Sequence, residues 1–148
     1  GGDVTYHGPG QLVGYPIVNV ANSLGASDHV CAVQRVLVRS LQRLGLPDVG
    51  CLPEYPGVWV EPDGPNPRKI AAIGVRLSRG RTMHGFALNV NTDLRYFDGI
   101  IPCGISEHGV TSLAALGIPV TMQEADVALR LAWDEVFGID GQVCGIDA

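Results

Sequence analysis

Lysine is almost absent from this chain. Of the ten basic residues among its 148, nine are arginines and only Lys69 is a lysine. An arginine stays charged, whereas a lysine can shift its pKa and exchange a proton. A sequence so biased toward arginine that keeps one lysine suggests a role that arginine cannot fill. Chance retention of Lys69 is the simpler alternative.

Long apolar runs and cysteine pairs are also lacking. No apolar stretch approaches the ~20 residues that span a bilayer, and nothing resembles a signal peptide. The four cysteines contain no CxxC and no close Cys/His pair, so neither zinc nor a disulfide framework is indicated. The net charge of −5 argues against nucleic acid as a partner. We predict a cytoplasmic protein with no metal and no membrane or nucleic-acid partner.

The pattern of elements predicts a single α+β domain in which a mixed, largely antiparallel sheet is flanked by helices. The expected helices are residues 28–44, which end near Gly45, and a last helix that opens at a Thr121/Glu124 capping box and runs to about Phe137. A single helical turn is expected over residues 93–97, and a loop over residues 100–106. The expected strands are residues 12–20, 57–61, 69–78 and 82–90, the last two forming a hairpin about Gly80.

The chain opens on a glycine-rich segment, Gly1 to Gln11. Four glycines and Pro9 bracket a Thr5-Tyr6-His7 run. Glycine weakens both helices and strands, and proline removes a backbone donor. The segment therefore predicts a loop whose backbone allows a close approach.

Cys103 is the candidate nucleophile, because Pro102 and Gly104 place it on a tight, irregular turn. A thiol becomes a good nucleophile when a nearby cation lowers its pKa. The backbone N–H groups from Cys103 to Ile105 could then serve an oxyanion hole. The alternative for Cys103 is a small buried apolar residue. The other cysteines (Cys31 on the predicted helix, and Cys51 and Cys144 after glycine-marked turns) are expected to be inert.

The residues that could activate Cys103 are Lys69, His7, His84 and His108. A Cys/His pair would indicate protease-type chemistry. His108 alternatively belongs to a surface loop, and His84 to the core. Lys69 starts a strand, and the hairpin that follows it runs out and back, so Lys69 and Cys103 could end side by side.

Small residues follow Lys69 on the predicted hairpin: Ala71, Ala72 and Gly74 on one strand, and Gly85 and Ala87 beside Phe86 on the other. Small side chains that face one another leave room for an apolar ligand. The alternative is a tight contact between the strands and a helix.

Half of the basic residues lie between Arg68 and Arg81: Arg68, Lys69, Arg76, Arg79 and Arg81. One interpretation is a solvated strand face. The other is a docking patch for an acidic partner.

Four motifs in one order resemble the lipoyl(octanoyl) transferases, the octanoyl-[acyl carrier protein]:protein N-octanoyltransferases of the biotin/lipoate ligase-like superfamily. The motifs are residues 1–11 (GGDVTYHGPGQ), 68–74 (RKIAAIG), 84–90 (HGFALNV) and 102–105 (PCGI). The resemblance implies a mixed sheet flanked by helices, shared with biotin and lipoate ligases. It fades after about Leu116.

The resemblance also implies a mechanism without a cofactor. Cys103 would attack the thioester of octanoyl-acyl carrier protein and hold the octanoyl group, and Lys69 would act as general acid and base. A lysine of a lipoyl domain, in a 2-oxoacid dehydrogenase complex or the glycine cleavage H protein, would accept the group. The implied substrate-binding residues are Gly1, Gly2, Asp3, Val4, Thr5, Tyr6, His7, Ala72, Ile73, Gly74, Gly85, Phe86 and Ala87.

Two alternatives stay open. Related ligases use ATP, although no GRGRxGR-type biotin-ligase loop occurs here, and Cys103 with Lys69 favours a transferase. A non-catalytic acyl-binding or partner-binding homologue is the other. The family normally has further strands, a helix and an arginine before Gly1. We therefore expect residues 1–148 to form one octanoyltransferase catalytic domain that lacks its N-terminal portion.

Overall fold

The computed structural model describes residues 8–15, 26–53, 55–78, 81–93 and 109–137. Within these ranges the chain forms one sheet and two helices. The helices are α1 (Ala26–Arg43) and α2 (Met122–Phe137). The strands are β1 (Gln11–Gly14), β2 (Val49–Leu52), β3 (Tyr55–Val60), β4 (Arg68–Ser78), β5 (Arg81–Asn89) and β6 (Gly109–Val110).

The sheet has the order β1-β5-β4-β3-β2, with antiparallel neighbours throughout. Strand β6 pairs parallel with the first residues of β4, beyond the end of β5. The longest strand pairing of the sheet is the β4–β5 hairpin, which runs from Ala71 opposite Leu88 to Ser78 opposite Arg81. The predicted mixed, largely antiparallel sheet with flanking helices is confirmed.

Helix α1 buries one apolar stripe against the sheet. Val33, Val36, Leu37 and Leu41 are fully buried, at the spacing that keeps side chains on one helical face. The helix starts two residues before the predicted position and ends at Arg43, one residue before the predicted end, and the predicted stop residue Gly45 follows with a φ of +98° that suits glycine. There the Leu46 amide donates to the Leu41 carbonyl at 2.9 Å, which closes the last turn.

Helix α2 begins with the predicted capping box. The Glu124 amide donates to Thr121 Oγ1 at 3.0 Å, and the Thr121 amide donates to Glu124 Oε1 at 2.9 Å. Its buried face contributes Leu129 and Trp133 to the core shared with α1. The two helices therefore pack together on one side of the sheet.

Several element boundaries differ from the sequence prediction. Strand β1 ends at Gly14, Tyr15 lies outside it, and residues 16–20 of the predicted strand lie outside the described residues. Asp93 is not helical, and the rest of the predicted turn after it is not described. Strands β2 and β6 were not predicted. Cys51 lies within β2 and not after a turn, since Gly50 is itself a strand residue and the pairing of β2 with β3 shifts register between Gly50 and Leu52.

No helix among the described residues is long and apolar enough to cross a membrane. The predicted loop 100–106 lies outside these residues.

Candidate active site

A β-bulge determines the face of the sheet on which Lys69 lies. Between β3 and β4 the register pairs Val58 with Ala71 but Trp59 with Lys69, so Ile70 is an extra residue on β4. Val58, Ile70 and Ala71 all belong to the core beneath the helices. Partners across an antiparallel ladder share a face and successive residues alternate. Lys69 and Trp59 therefore lie on the face away from the helices.

The same face carries the small residues of the hairpin. Ala72 follows Ala71 and pairs with Ala87, and Gly74 pairs with Gly85. In a strand without the bulge, Lys69 would share a face with Ala71. Bulges re-aim side chains in this way next to active sites. The bulge thus brings Lys69 onto the face of the four small residues.

The Lys69 side chain is buried and follows strand β3. Its Nζ lies 5.2 Å from the centroid of the Trp59 ring, within the range of a cation–π contact. A Cβ atom on Gly57 would come within 3.3 Å of Lys69 Cε and 3.5 Å of its Cδ, so the stem of Lys69 runs across this glycine. Gln34 on α1 donates from Nε2 to the Gly57 carbonyl at 3.2 Å.

Asn89, at the end of β5, connects three segments near Lys69. Its side chain accepts from Gln11 Nε2 at 2.9 Å and from Thr92 Oγ1 at 3.3 Å, and its Nδ2 donates to the Thr111 carbonyl at 3.1 Å. Thr111 in turn donates its amide to the Lys69 carbonyl at 2.8 Å. The end of the opening loop, β5 and the segment after β6 are therefore held in one network.

The opening segment approaches β5 through glycine. The Gly10 carbonyl accepts from the amides of Val90 and Asn91 at 3.0 and 3.1 Å. Gly10 has a φ of +88°, and a Cβ there would lie 2.7 Å from the Asn91 backbone. At Gly10 the backbone of this segment thus lies against β5, and Gln11 already belongs to β1, while Gly1 to His7 lie outside the described residues.

The candidate site residues fall into three groups. Lys69, Ala72, Gly74, Gly85 and Ala87 come together on one face. Ile73 and Phe86 pair with each other and belong to the core under the helices. Cys103, His108 and residues 1–7 lie outside the described residues. His84 lies on β5, as predicted.

Two of the other cysteines can be described. Cys31 on α1 and Cys51 on β2 are both exposed and not in a disulfide. Desolvation, and then the neighbouring Cys31, raise the pKa of the Cys51 thiol. A raised pKa lowers the thiolate fraction, so Cys51 is a poor nucleophile near neutral pH.

Comparison with known proteins identifies the family. Residues 1–133 match the family model of the lipoyl protein ligase A/B catalytic domain.

The chain belongs to this family.

Relatives within the lipoyl protein ligase A/B family carry a more specific name. The chain is 51% identical over 127 residues to an octanoyltransferase of Salinispora tropica, covering 84% of this chain and 59% of the relative. It is 52% identical over 142 residues to an octanoyltransferase of Mycobacterium avium, covering 94% of this chain and 60% of the relative. The chain thus spans about 60% of the length of these two curated relatives.

The fold agrees with the family. A bipartite lipoate protein ligase of Thermoplasma acidophilum superposes with a TM-score of 0.78 at 20% identity, over 96% of this chain and 57% of that structure. At this identity the likeness concerns the fold alone.

The residues that sequence reasoning missed are Gly57, Trp59 and Asn89. A glycine inside a strand often marks a bulge or a close approach, and asparagine is depleted in strands. These two signals could have drawn attention to Gly57 and Asn89. The contact of Trp59 with Lys69 depends on the bulge at Ile70, which the sequence pattern does not reveal.

Proposed function

We propose that this chain is the catalytic part of an octanoyltransferase of protein lipoylation, acting in the cytoplasm. The donor is octanoyl-acyl carrier protein. The acceptor is a lysine of a lipoyl domain, in a 2-oxoacid dehydrogenase complex or the glycine cleavage H protein. The observation that carries this proposal is 51% identity to named octanoyltransferases over most of the chain. The buried Lys69, on the same face as four small residues, supports it.

In the proposed first step, the Cys103 thiolate attacks the carbonyl carbon of the octanoyl thioester. The bond from that carbon to the carrier's sulfur breaks, and the carrier thiolate takes a proton from the Lys69 ammonium. The octanoyl group is then held as a thioester on Cys103. Backbone N–H groups from Cys103 to Ile105 stabilise the oxyanion.

In the second step, the amine of the acceptor lysine attacks this thioester. The attacking nitrogen gives a proton to the neutral Lys69 amine, and the bond to Cys103 Sγ breaks. The products are an octanoyl amide and a regenerated thiolate–ammonium pair. An arginine at position 69 could not exchange the proton, because its guanidinium stays charged.

The geometry around Lys69 supports this assignment in two ways. Strand β6 pairs with Arg68 and Lys69, and it begins six residues after Cys103 in the sequence. A segment of that length spans up to about 20 Å, so the thiol and the amine can meet. The smooth face formed by Ala72, Gly74, Gly85 and Ala87 suits an alkyl chain, which needs apolar contact without polar partners.

The test is acylation followed by mass spectrometry. Incubation with octanoyl-acyl carrier protein should add one octanoyl group, located by peptide mapping to Cys103, and a lipoyl domain should then discharge it. Cys103→Ala should form no adduct, and Lys69→Arg should acylate far more slowly. Cys51→Ala is the matched control and should react normally. Lack of any adduct on Cys103 in the unmodified protein would exclude the mechanism.

The same assay separates the ligase and binding alternatives. Modification of the lipoyl domain from free octanoate that requires ATP and survives Cys103→Ala would identify a ligase. Binding of the carrier without transfer would identify a non-catalytic homologue.

A further inference from the structure

The side chain of Lys69 lies beside two residues of β3, Gly57 and Trp59. Trp59 lies directly opposite Lys69 in the β3–β4 ladder. Its ring is almost fully buried, with 1% of the residue exposed, and so is Lys69, with 4% exposed. A buried ammonium loses its hydration, so an aromatic face beside it counts for more than at an exposed site.

Gly57 supplies the passage for the lysine stem. Gly57 and Trp59 are two residues apart on β3 and so share a face. The φ of Gly57 is +118°, and a Cβ at this position would meet the Ala71 carbonyl oxygen at 2.5 Å as well as Lys69 Cε at 3.3 Å. A side chain at this position would therefore clash with the β4 backbone at Ala71 and would crowd the stem of Lys69.

Helix α1 holds this part of β3 in place. Gln34 donates to the Gly57 carbonyl, and the Trp59 indole donates from Nε1 to the Tyr55 carbonyl at 3.4 Å. The backbone of Gly57 and the plane of the Trp59 ring are thus fixed by contacts that do not involve Lys69.

We propose that Gly57 and Trp59 are positioning residues for Lys69: the glycine admits its stem, and the indole face holds its ammonium at the site. This inference rests on the proposed acid–base role of Lys69. It adds two residues of β3 to the site, and β3 lies outside all four family motifs.

The first test is structural and independent of activity. Since Lys69 is the only lysine of this chain, ¹³C-lysine labelling gives one Cε–Hε cross-peak. The ring current of Trp59 should displace it upfield from the position of an exposed lysine. Trp59→Leu should return the peak to that position, and Trp59→Phe should keep part of the displacement. Trp133→Leu removes the other buried indole, which stacks on Phe137, and should leave the peak in place.

The second test is the rate of Cys103 acylation. Trp59→Leu should lower the maximal rate on the order of tenfold while the KM for the octanoyl carrier stays the same, and Trp59→Phe should restore most of it. Trp59→Leu should add little to the defect of Lys69→Met, because both changes act on one group. Trp133→Leu should acylate at the rate of the unmodified protein.

A third pair of variants tests Gly57. Gly57→Ala should move the lysine peak and slow acylation. Gly45→Ala also places a side chain at a positive φ, here +98°, but nothing lies within 4 Å of its Cβ. It should change neither the peak nor the rate.

The outcomes separate the two proposals. If Lys69→Met acylates at the normal rate, the acid–base role of Lys69 is wrong and the positioning role falls with it. If Lys69→Met is defective but Trp59→Leu and Gly57→Ala are not, only the positioning role is wrong. A lysine peak at the exposed position in the unmodified protein also overturns the positioning role.

Discussion

At the scale of single residues, a buried polar side chain in this chain is costly unless its partners are complete. Asn89 shows the satisfied case, because its amide group accepts two hydrogen bonds and donates one while only 5% of the residue is exposed. Removing a partner of a buried group costs the desolvation of the group left behind. Asn89 therefore contributes to stability chiefly by hydrogen-bonding the side chains of Gln11 and Thr92 and the carbonyl of Thr111.

We expect Asn89→Ala to lower the free energy of unfolding by about 2 kcal/mol, because the buried Thr111 carbonyl loses its side-chain donor. Urea denaturation followed by circular dichroism measures this change. Thr92→Val is the matched control. It removes only the 3.3 Å bond to Asn89 Oδ1 and should cost less than about 1 kcal/mol. Equal losses in the two variants would contradict the central place of Asn89 in the network.

His29 shows the opposite case. It is fully buried between the helices, its ring lies 6.2 Å from that of Phe137, and neither ring nitrogen has a hydrogen-bond partner within the described ranges. Burial lowers the pKa of His29 from its usual value of 6.5. The folded state therefore holds this imidazole neutral at a pH where the unfolded chain binds a proton.

Protonation of His29 therefore destabilises the fold at acid pH. The stability that His29 contributes is fully present above the unfolded pKa of 6.5, and it is lost as the pH falls through the lower folded pKa. We expect stability to fall below pH 6.5, by at most about 1.4 kcal/mol per pH unit from this group. Denaturation curves of the unmodified protein and His29→Leu over this range measure the effect. The difference between them should vary with pH, because the other histidines cancel, and a constant difference would contradict the assignment.

At the scale of elements, the helices and the central hairpin could be predicted from sequence, while the bulge and the short strands could not. Apolar spacing and end signals specify α1 and the capping box of α2, because both depend on neighbours within a few residues. Strand β6 has only two residues, and its pairing with Arg68 and Lys69 joins segments about forty residues apart. The bulge at Ile70 depends likewise on the register with β3, which no local pattern encodes.

Two glycines in connecting segments have similar positive φ angles, but only one of them is crowded by neighbouring atoms. Comparing them therefore separates the cost of backbone strain from the cost of a steric clash. Gly10 (φ +88°) carries the opening loop against Asn91, and Gly117 (φ +80°) turns the chain before α2 with nothing within 4 Å of its Cβ. Gly117→Ala should cost about 1–2 kcal/mol, the strain of a left-handed non-glycine residue. Gly10→Ala should cost about 1–3 kcal/mol more, because its Cβ meets backbone atoms that cannot rotate away. Thermal and urea unfolding measure both, and equal costs would show that the loop can move off β5.

At the scale of the whole molecule, the fold and the family could be predicted from the sequence. The arrangement of the site residues could be predicted only in part. The motif residues 72, 74, 85 and 87 come together as small residues facing one another, which follows once the hairpin is known. The position of Lys69 beside them does not follow, since simple alternation would place it on the core side with Ala71. The fold can therefore be predicted correctly while Lys69 is still assigned to the wrong face, because the bulge at Ile70 is not visible in the sequence.

Charge is the other property that belongs to the whole molecule. The chain has a net charge of −5, which would repel an acidic partner, yet half of its basic residues lie between positions 68 and 81. Arg68 is paired with Glu61 at 3.2 Å. If the other arginines of this segment (positions 76, 79 and 81) steer an acidic partner, their removal should slow encounter and weaken docking while the chemistry at Lys69 stays intact.

We therefore expect Arg79→Gln combined with Arg81→Gln to raise the KM for the proposed octanoyl-carrier donor, on the order of threefold to tenfold at low salt, with little change in kcat. The difference from the unmodified protein should close at 1 M salt, where the Debye length is about 3 Å. Arg39→Gln with Arg43→Gln is the matched control, since it removes the same charge from α1, where both arginines pair with Glu135. An equal rise of KM in the two pairs would indicate that net charge, and not the basic residues of this segment, governs docking.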